Sequence, residues 1–461
     1  MRVHILIGPG VLADAGLLED MAAREFAALG VEGRLVVAAD VASFRAELEA
    51  TGEDQAVVAM PGPDPDARRL IDAPPACSPR TVWLDLARVG PLQAAGGAAH
   101  LQGRGVWGLT WAIRHAVHRL RTPAVRIPYG GHPDQWGELR LPSSVAGPAP
   151  WPADTGVSSA GGSLSSSMNA AISAADGSPS SSMGSVGRSA EGPPPPVAVL
   201  VHGGYWRSIW QADLMDALAI DLARRGYATW NLEYRRPDLH GWDATTRDVA
   251  SGLTALTALG VPLDLDRVVV LGHSAGGQLA LRLAADAARS APPGQAAPGR
   301  PGMDMPDVPD LDMAEPVPGK RGVGEWAVGR GAREPRVAVA VSLAGVLDLV
   351  EADRRRMGVG AVAAALGGDA DELPEVYAAA SPLARLPLGV PHLVVQGTDD
   401  DPDLVDIGRR YARAAGPEAV HVERPGDHFA VIDPDAPIWH AVADRLADHC
   451  PPEPGPETVS R

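Results

Sequence analysis

Three separated stretches of this 461-residue chain carry the residue types that nucleophilic catalysis needs. The first is Gly272-His273-Ser274-Ala275-Gly276-Gly277. An apolar run, Val268 to Leu271, reads as a buried strand before it, and Leu279, Ala280, Leu283 and Ala284 recur at helical spacing after it. Strand, sharp turn and helix in that order expose a serine hydroxyl. Glycines two before and two after Ser274 are needed because side chains there would collide with the strand and the helix. The first N–H groups of the helix also face the place where an oxyanion would form. In a chain with 52 glycines the pentapeptide alone is a weak signal. Its companions give it weight.

The second stretch is His202-Gly203-Gly204-Tyr205-Trp206, directly after the apolar strand Val197 to Val201. Two glycines let backbone N–H groups approach a substrate carbonyl, so Gly203, Gly204 and the amide of Ala275 are assigned to an oxyanion hole. His202 is read as a structural neighbour of this hole, not as the base. Tyr205, Trp206 and Trp210 either line an acyl or aromatic pocket or pack in the core. The third stretch supplies acid and base. Gly397-Thr398-Asp399-Asp400 follows the strand Val390 to Gln396, where a triad acid belongs; Asp400 is chosen, with Asp399 as the alternative. His428, in the loop Pro425-Gly426-Asp427-His428-Phe429, is preferred as base over His421, which lies within a strand. His428 would take the Ser274 proton and return it to the leaving group while Asp400 holds the imidazole.

The elements that must position these groups alternate between strand and helix. They run through Ile209 to Arg225, Tyr227 to Leu232, Trp242 to Leu259, Val337 to Leu343 and Val420 to Glu423, and end in a helix from Ile438 to His449. Glu233-Tyr234-Arg235-Arg236 reads as a local ion pair, with a substrate role as the alternative. Short helices between Asp348 and Gly389 stand where a lid would, and Leu349, Val350, Met357, Val362 and Leu366 either line it or simply pack. From Thr122 to about His449 the chain resembles the α/β-hydrolase superfamily, in the branch that holds kynurenine formamidases and bacterial carboxylesterases. The resemblance rests on His202 to Trp206, Gly272 to Gly277, Gly397 to Asp400 and Asp427-His428-Phe429. It implies a mostly parallel sheet with helices on both faces, the order Ser274, Asp400, His428 for the triad, no metal or organic cofactor, and a small ester or amide as substrate.

The first 121 residues form a separate α/β pattern. Strands at Val3 to Ile7, Arg34 to Ala38, Ala56 to Ala59 and Thr81 to Leu86 alternate with helices around Leu17 to Leu29, Ala42 to Ala50 and Trp107 to Leu120. This predicts a small flavodoxin-like, doubly wound domain. Gly8-Pro9-Gly10, Met60-Pro61-Gly62 and Gly103 to Gly108 give it a resemblance to type II 3-dehydroquinate dehydratases. The family's Asn position falls on Met60 and its catalytic His near Asp85, and its Arg- and Tyr-bearing loop is missing. The expectation is therefore a catalytically silent scaffold, with homo-oligomerisation as one role open to it. His100, His115 and His118 could suggest a metal site, but no carboxylate or Cys cluster accompanies them, and His115 and His118 are read as lying on or beside the amphipathic face of the last helix.

Composition bounds the rest. Two domains, 1–121 and 122–461, suit the length, and low-complexity Ser/Gly/Pro-rich stretches at Ala146 to Pro196 and Ala291 to Pro335 read as flexible insertions in the second. A net charge of −17 without a Lys/Arg tract makes nucleic acid an unsuitable partner. No apolar run approaches the ~20 residues of a membrane span, no signal peptide is evident, and Cys77 and Cys450 form no framework, so a cytoplasmic protein is expected. The competing reading is a non-catalytic binding or scaffold protein with a silent hydrolase domain.

Overall fold

The computed structural model describes residues 1–73, 75–142, 193–290 and 334–452. Its first part is a five-stranded parallel sheet of β1 (Arg2–Ile7), β2 (Glu32–Val37), β3 (Gln55–Met60), β4 (Thr81–Asp85) and β5 (Ala99–Gln102), in the order β2-β1-β3-β4-β5. That is the flavodoxin-like order. Strands β1, β3 and β4 are buried almost throughout and read as continuous apolar runs because helices cover both faces. β5 and the helix Pro65–Asp72 are additions to the elements expected from the pattern.

The second part is an eight-stranded sheet. β6 (Val125–Pro128) and β7 (Trp136–Arg140) form an antiparallel hairpin, and β7 pairs antiparallel with β9 (Ala228–Leu232). The remaining strands, β8 (Pro196–Val201), β10 (Asp264–His273), β11 (Val337–Leu343), β12 (His392–Gly397) and β13 (Ala419–Arg424), run parallel to β9. The order is β13-β12-β11-β10-β8-β9-β7-β6. After β8 the chain moves to β9 on one side and then to β10 on the other. The strand order therefore reverses between β8 and β10, and loops leaving their carboxyl ends diverge around a crevice, the usual ligand position in open α/β sheets.

The expected insertions fall almost wholly outside the described residues. Pro196, counted with the first of them, is the opening residue of β8 and is fully buried there. A strand's first residue can dispense with a backbone N–H, so proline fits. The anchors of both stretches share one edge of the sheet. β7 ends opposite the start of β9, with Arg140 paired to Thr229, and β8 begins at that edge. The helix Ala275–Ser290 starts at the opposite edge and runs down to it, where β11 begins.

The expected helix Ile209 to Arg225 is shorter: Ala212–Met215 is a 3-10 turn and Asp216–Arg224 the helix, which leaves Ile209 and Trp210 in a loop. This loop meets the first sheet. Arg104, after β5, donates two hydrogen bonds to Asp213 at 2.6 and 2.8 Å and one to the Ile209 carbonyl at 2.7 Å. His115, on the helix Gly108–Arg121, lies 2.6 Å from Asp216, which also accepts from Arg140 at 3.3 Å. Arg88 reaches Asp238 at 2.6 Å and Ser208 at 3.0 Å. Trp111, on the same helix, packs against the apolar cores of both sheets.

Candidate active site

Ser274 stands between β10 and the helix Ala275–Ser290 at φ 53°. A serine in the left-handed region costs about 1–3 kcal/mol and persists only where its surroundings impose it. Here the Ser274 N–H donates to the Leu343 carbonyl at 2.8 Å, and the Ser274 carbonyl accepts from the amides of Gly277 and Gln278. The glycines of the motif answer to space. A Cβ on Gly272 would lie 1.9 Å from the Gly276 carbonyl oxygen, and one on Gly276 would lie 2.1 Å from that of Val201. Both obstacles are backbone. Gly276→Ala is therefore expected to destabilise the fold by about 3 kcal/mol, as overpacking against immovable atoms does. Urea unfolding with an unchanged midpoint would refute this account of the turn.

The loop after β8 lies against this elbow. A Cβ on Gly203 would come within 2.5 Å of the His273 carbonyl oxygen and 2.9 Å of Ser274 Cβ, so only glycine lets the two backbones approach so closely. Gly204 has φ 113° and supports the ring of Trp210. The amides of Gly203 and Gly204 donate to no acceptor among the described residues. The Ala275 amide opens the helix, where N–H groups lack intrahelical partners. Gly203 and Ala275 thus stand next to Ser274, at the positive end of a 16-residue helix.

The next two residues, Tyr205 and Trp206, also hold positive φ values, 51° and 55°. Trp206 is core: it is buried, and its indole N–H donates to Gln278 at 3.2 Å. Tyr205 is held above Gly358, where a Cβ would meet its ring at 2.5 Å. Burial raises the Tyr205 hydroxyl pKa, helped by the charges of Asp401 and Asp400. Leu349, Met357, Val362 and Leu366 lie in the core and Val350 packs partly against it; packing, the blander of the two readings, is what the structure gives them.

His428 lies 2.9 Å from Asp400, through Nδ1 to Oδ2. The same carboxylate accepts from Gln396 Nε2 at 2.8 Å and from the Asp401 amide at 2.7 Å. Burial pushes the Asp400 pKa up, but the hydrogen bonds and charge of His428, with those two donors, outweigh it and hold it below the ordinary carboxylate value. Asp399 points elsewhere: its carboxylate accepts the Gly426 amide at 3.0 Å and is exposed. His421 is on β13, 3.8 Å from Glu423. Among the described residues no hydrogen bond joins Ser274 to His428 and none engages His428 Nε2, a common condition where no substrate draws such a pair together.

His202 and His273 brace the site from below. His202 is buried, its Nδ1 is 2.8 Å from the Gly203 carbonyl, and Tyr234 stacks on it at 4.4 Å while donating to its carbonyl. Burial, with nearby Arg236, lowers its pKa to about 3. A neutral ring can donate from Nδ1 and hold the glycine loop, a bracing role. His273 approaches the His428 carbonyl with Nε2 at 3.0 Å, and burial lowers its pKa to about 3. Glu233 and Arg236 form a buried ion pair beneath the loop, and Glu233 accepts the Ala212 amide at 2.9 Å.

These histidines carry a pH signature. Burial also lowers His4 to about 4. Between pH 6.5 and about 4 the unfolded chain binds protons that the folded rings refuse. Stability must then fall as pH falls, by roughly 1 kcal/mol per pH unit for each ring. Carboxylates such as Asp400, with lowered values, add their loss only below pH 3.8. Urea unfolding at pH 7 and pH 5 checks the sign; equal stabilities would contradict it.

His115 and His118 share the field of Asp216, but among the described residues neither they nor His100 belong to a cluster of three groups that could hold a metal. His100 Nε2 meets Asp85 at 2.8 Å, and Arg68 clamps the same carboxylate at 2.7 and 3.0 Å, while His115 pairs with Asp216. Asp85 is thus fully engaged where the dehydratase resemblance would need a free base. Sequence reading passed over His132, Asp134 and His240, whose ligand atoms lie within 4.8 Å of one another. His132 Nδ1 accepts the Asp134 amide at 3.1 Å, which leaves the ring proton on Nε2, and Asp134 faces Arg236 at 3.4 Å. This is a hydrogen-bonded turn. No helix among the described residues is long and apolar enough to cross a membrane.

Residues 187–407 match the BD-FAE family model. No curated protein matches the chain. Among solved structures, esterase B from Lactobacillus rhamnosis is 15% identical, with 74% of this chain and 91% of that one covered at a TM-score of 0.46. A bacterial heroin esterase is 19% identical, covering 56% and 75% at 0.40. Carboxyl esterase 2 from the fungus Tuber melanosporum is 14% identical, covering 57% and 78% at 0.40.

Proposed function

The chain carries a domain of the α/β-hydrolase superfamily, and on that premise we propose that it is a serine hydrolase acting on a small carboxylic ester or arylformamide. The observation that carries this reading is the 2.9 Å contact of His428 with Asp400 on the loop facing the Ser274 elbow.

In the proposed cycle Ser274 Oγ attacks the substrate carbonyl carbon while His428 Nε2 takes its proton. The carbonyl oxygen gains the electron pair and is held by the amides of Gly203, Gly204 and Ala275. Collapse expels the alcohol or amine, which receives the proton from His428, and leaves an acyl group on Ser274. Water, deprotonated by the same ring, attacks the acyl carbon; the acyl–Oγ bond breaks, Ser274 Oγ takes the proton back from His428, and the acid is released. Asp400 remains ionised throughout, because its hydrogen bonds favour the charged form, and it holds the Nδ1–H tautomer.

The test is turnover of p-nitrophenyl acetate and of N-formylkynurenine by the full chain, beside labelling with a fluorophosphonate. Adduct formation on Ser274 with turnover of either substrate supports the reading, and the faster substrate separates ester from formamide hydrolysis. An unlabelled Ser274 in an inert, folded protein would leave the binding-protein reading in its place.

A further inference from the structure

One exposed and two half-buried aromatic rings form a continuous rim from the glycine loop to the base, and one of them comes from the part of the chain that holds the first sheet. Phe429 follows His428, is 39% exposed, and lies 5.5 Å from the His428 ring. Trp111 meets Phe429 at 5.4 Å and Trp210 at 6.0 Å, the second contact edge to face at 88°. Trp210 in turn presses on Gly204, where a Cβ would stand 2.3 Å from its Cγ. The rim is held from behind: Arg104 lies over Trp210 at 4.5 Å while tied to Asp213. Arg114 lies beside Trp111 at 5.6 Å while tied to Glu25 at 2.7 Å.

Phe429 is exposed, while Trp111 and Trp210 are half-buried against the core; the parts of the three rings that stay open, side by side next to the proposed centre, form a surface for a flat apolar group. They stand beside His428, the group that delivers a proton to the leaving group, so they face the departing half of the substrate.

We propose that Trp111 is a specificity-determining residue of the hydrolase site, and that Trp111, Phe429 and Trp210 form a subsite for an aromatic leaving group. The proposal rests on the serine-hydrolase reading above and adds the substrate class. It also gives the first sheet a part in the site. In the reaction the acyl–oxygen bond of an aryl ester breaks, the acyl group passes to Ser274, and the phenol leaves with the His428 proton while stacked on the rim.

The test compares kcat/KM for 2-naphthyl acetate and methyl acetate, which share an acyl group, in wild type, Trp111→Ala, Trp111→Phe and Trp107→Ala. Trp107, 69% exposed just before the same helix, is the control. Trp111→Ala is expected to lower the naphthyl value about tenfold and leave the methyl value within about twofold, as the loss of an aromatic contact should. Trp111→Phe should restore most of it, and Trp107→Ala should match wild type. Equal losses on both esters, or none on either, would overturn the proposal. A second readout does not depend on turnover: calorimetric binding of 2-naphthol to Ser274→Ala protein, expected to weaken about tenfold when Trp111→Ala is added. If Ser274 fails to react with a fluorophosphonate, the hydrolase reading falls while Trp111-dependent naphthol binding still supports the subsite. Binding indifferent to Trp111 overturns the subsite itself.

Discussion

Ser274→Ala and His428→Ala are each expected to lower kcat for p-nitrophenyl acetate by about 10⁴- to 10⁶-fold, and the double variant is expected to be no worse than either single one. Attack requires nucleophile and base together, so removing one already forfeits what the other contributes. Asp400→Asn should cost about 10⁴-fold, since an amide NH2 can donate to Nδ1 and hold the ring in the tautomer whose Nε2 already carries a proton and cannot take that of Ser274. Asp399→Asn should stay within a few-fold of wild type, because its carboxylate serves the Gly426 amide and does not face His428. Steady-state rates for these five proteins decide the matter. Additive losses in the double variant would mean that Ser274 and His428 do not act as one unit, and a large loss in Asp399→Asn would transfer the acid's role to it.

Arg104→Ala is expected to destabilise the protein by about 3–5 kcal/mol, the cost of leaving a buried carboxylate unpaired. The Arg104 and Asp213 side chains are 1% and 2% exposed and meet through two hydrogen bonds. Exposed pairs in the same protein, such as Arg69 with Asp66, should contribute about 0–1 kcal/mol. Replacing both partners, as Arg104→Met with Asp213→Leu, should recover most of the loss, because no charge is then stranded. Denaturant unfolding of the two variants beside wild type tests this; a double variant as weak as Arg104→Ala would show that the pair contributes through something other than charge compensation.

Long apolar strands and the elbow were legible because each is encoded within a dozen contiguous residues. β8 and the central residues of β10 alternate with glycine-marked turns, and their pattern needs no knowledge of distant partners. β5 was not legible. Ala99-His100-Leu101-Gln102 has no β-branched residue, and its buried His100 and Gln102 depend on distant partners, Asp85 for His100 Nε2 and the amides of Val89 and Gly90 for Gln102 Oε1. The helix Pro65–Asp72 had a start signal, Asp64 followed by proline, but only eight residues to show periodicity. Asp399 and Asp400 could be ranked by spacing alone; what separates them is their partners across the turn after β12, the Gly426 amide for Asp399 and His428 with Gln396 for Asp400. Trp111 gave no local sign of its surroundings, because its partners Trp210 and Phe429 are far along the chain and belong to the other sheet.

The shared edge of the two stretches 143–192 and 291–333 bears on how such a chain can change. Their flanking residues leave and rejoin the sheet at the amino ends of β8 and β11, whereas Gly203, Ser274, Asp400 and His428 all follow carboxyl ends of strands. The strand ends that carry these four residues are therefore not forced to move when residues are gained or lost between those anchors. Length can drift at one pole of the molecule while geometry is conserved at the other, and the same pole is the natural place to splice in a tag or a second protein.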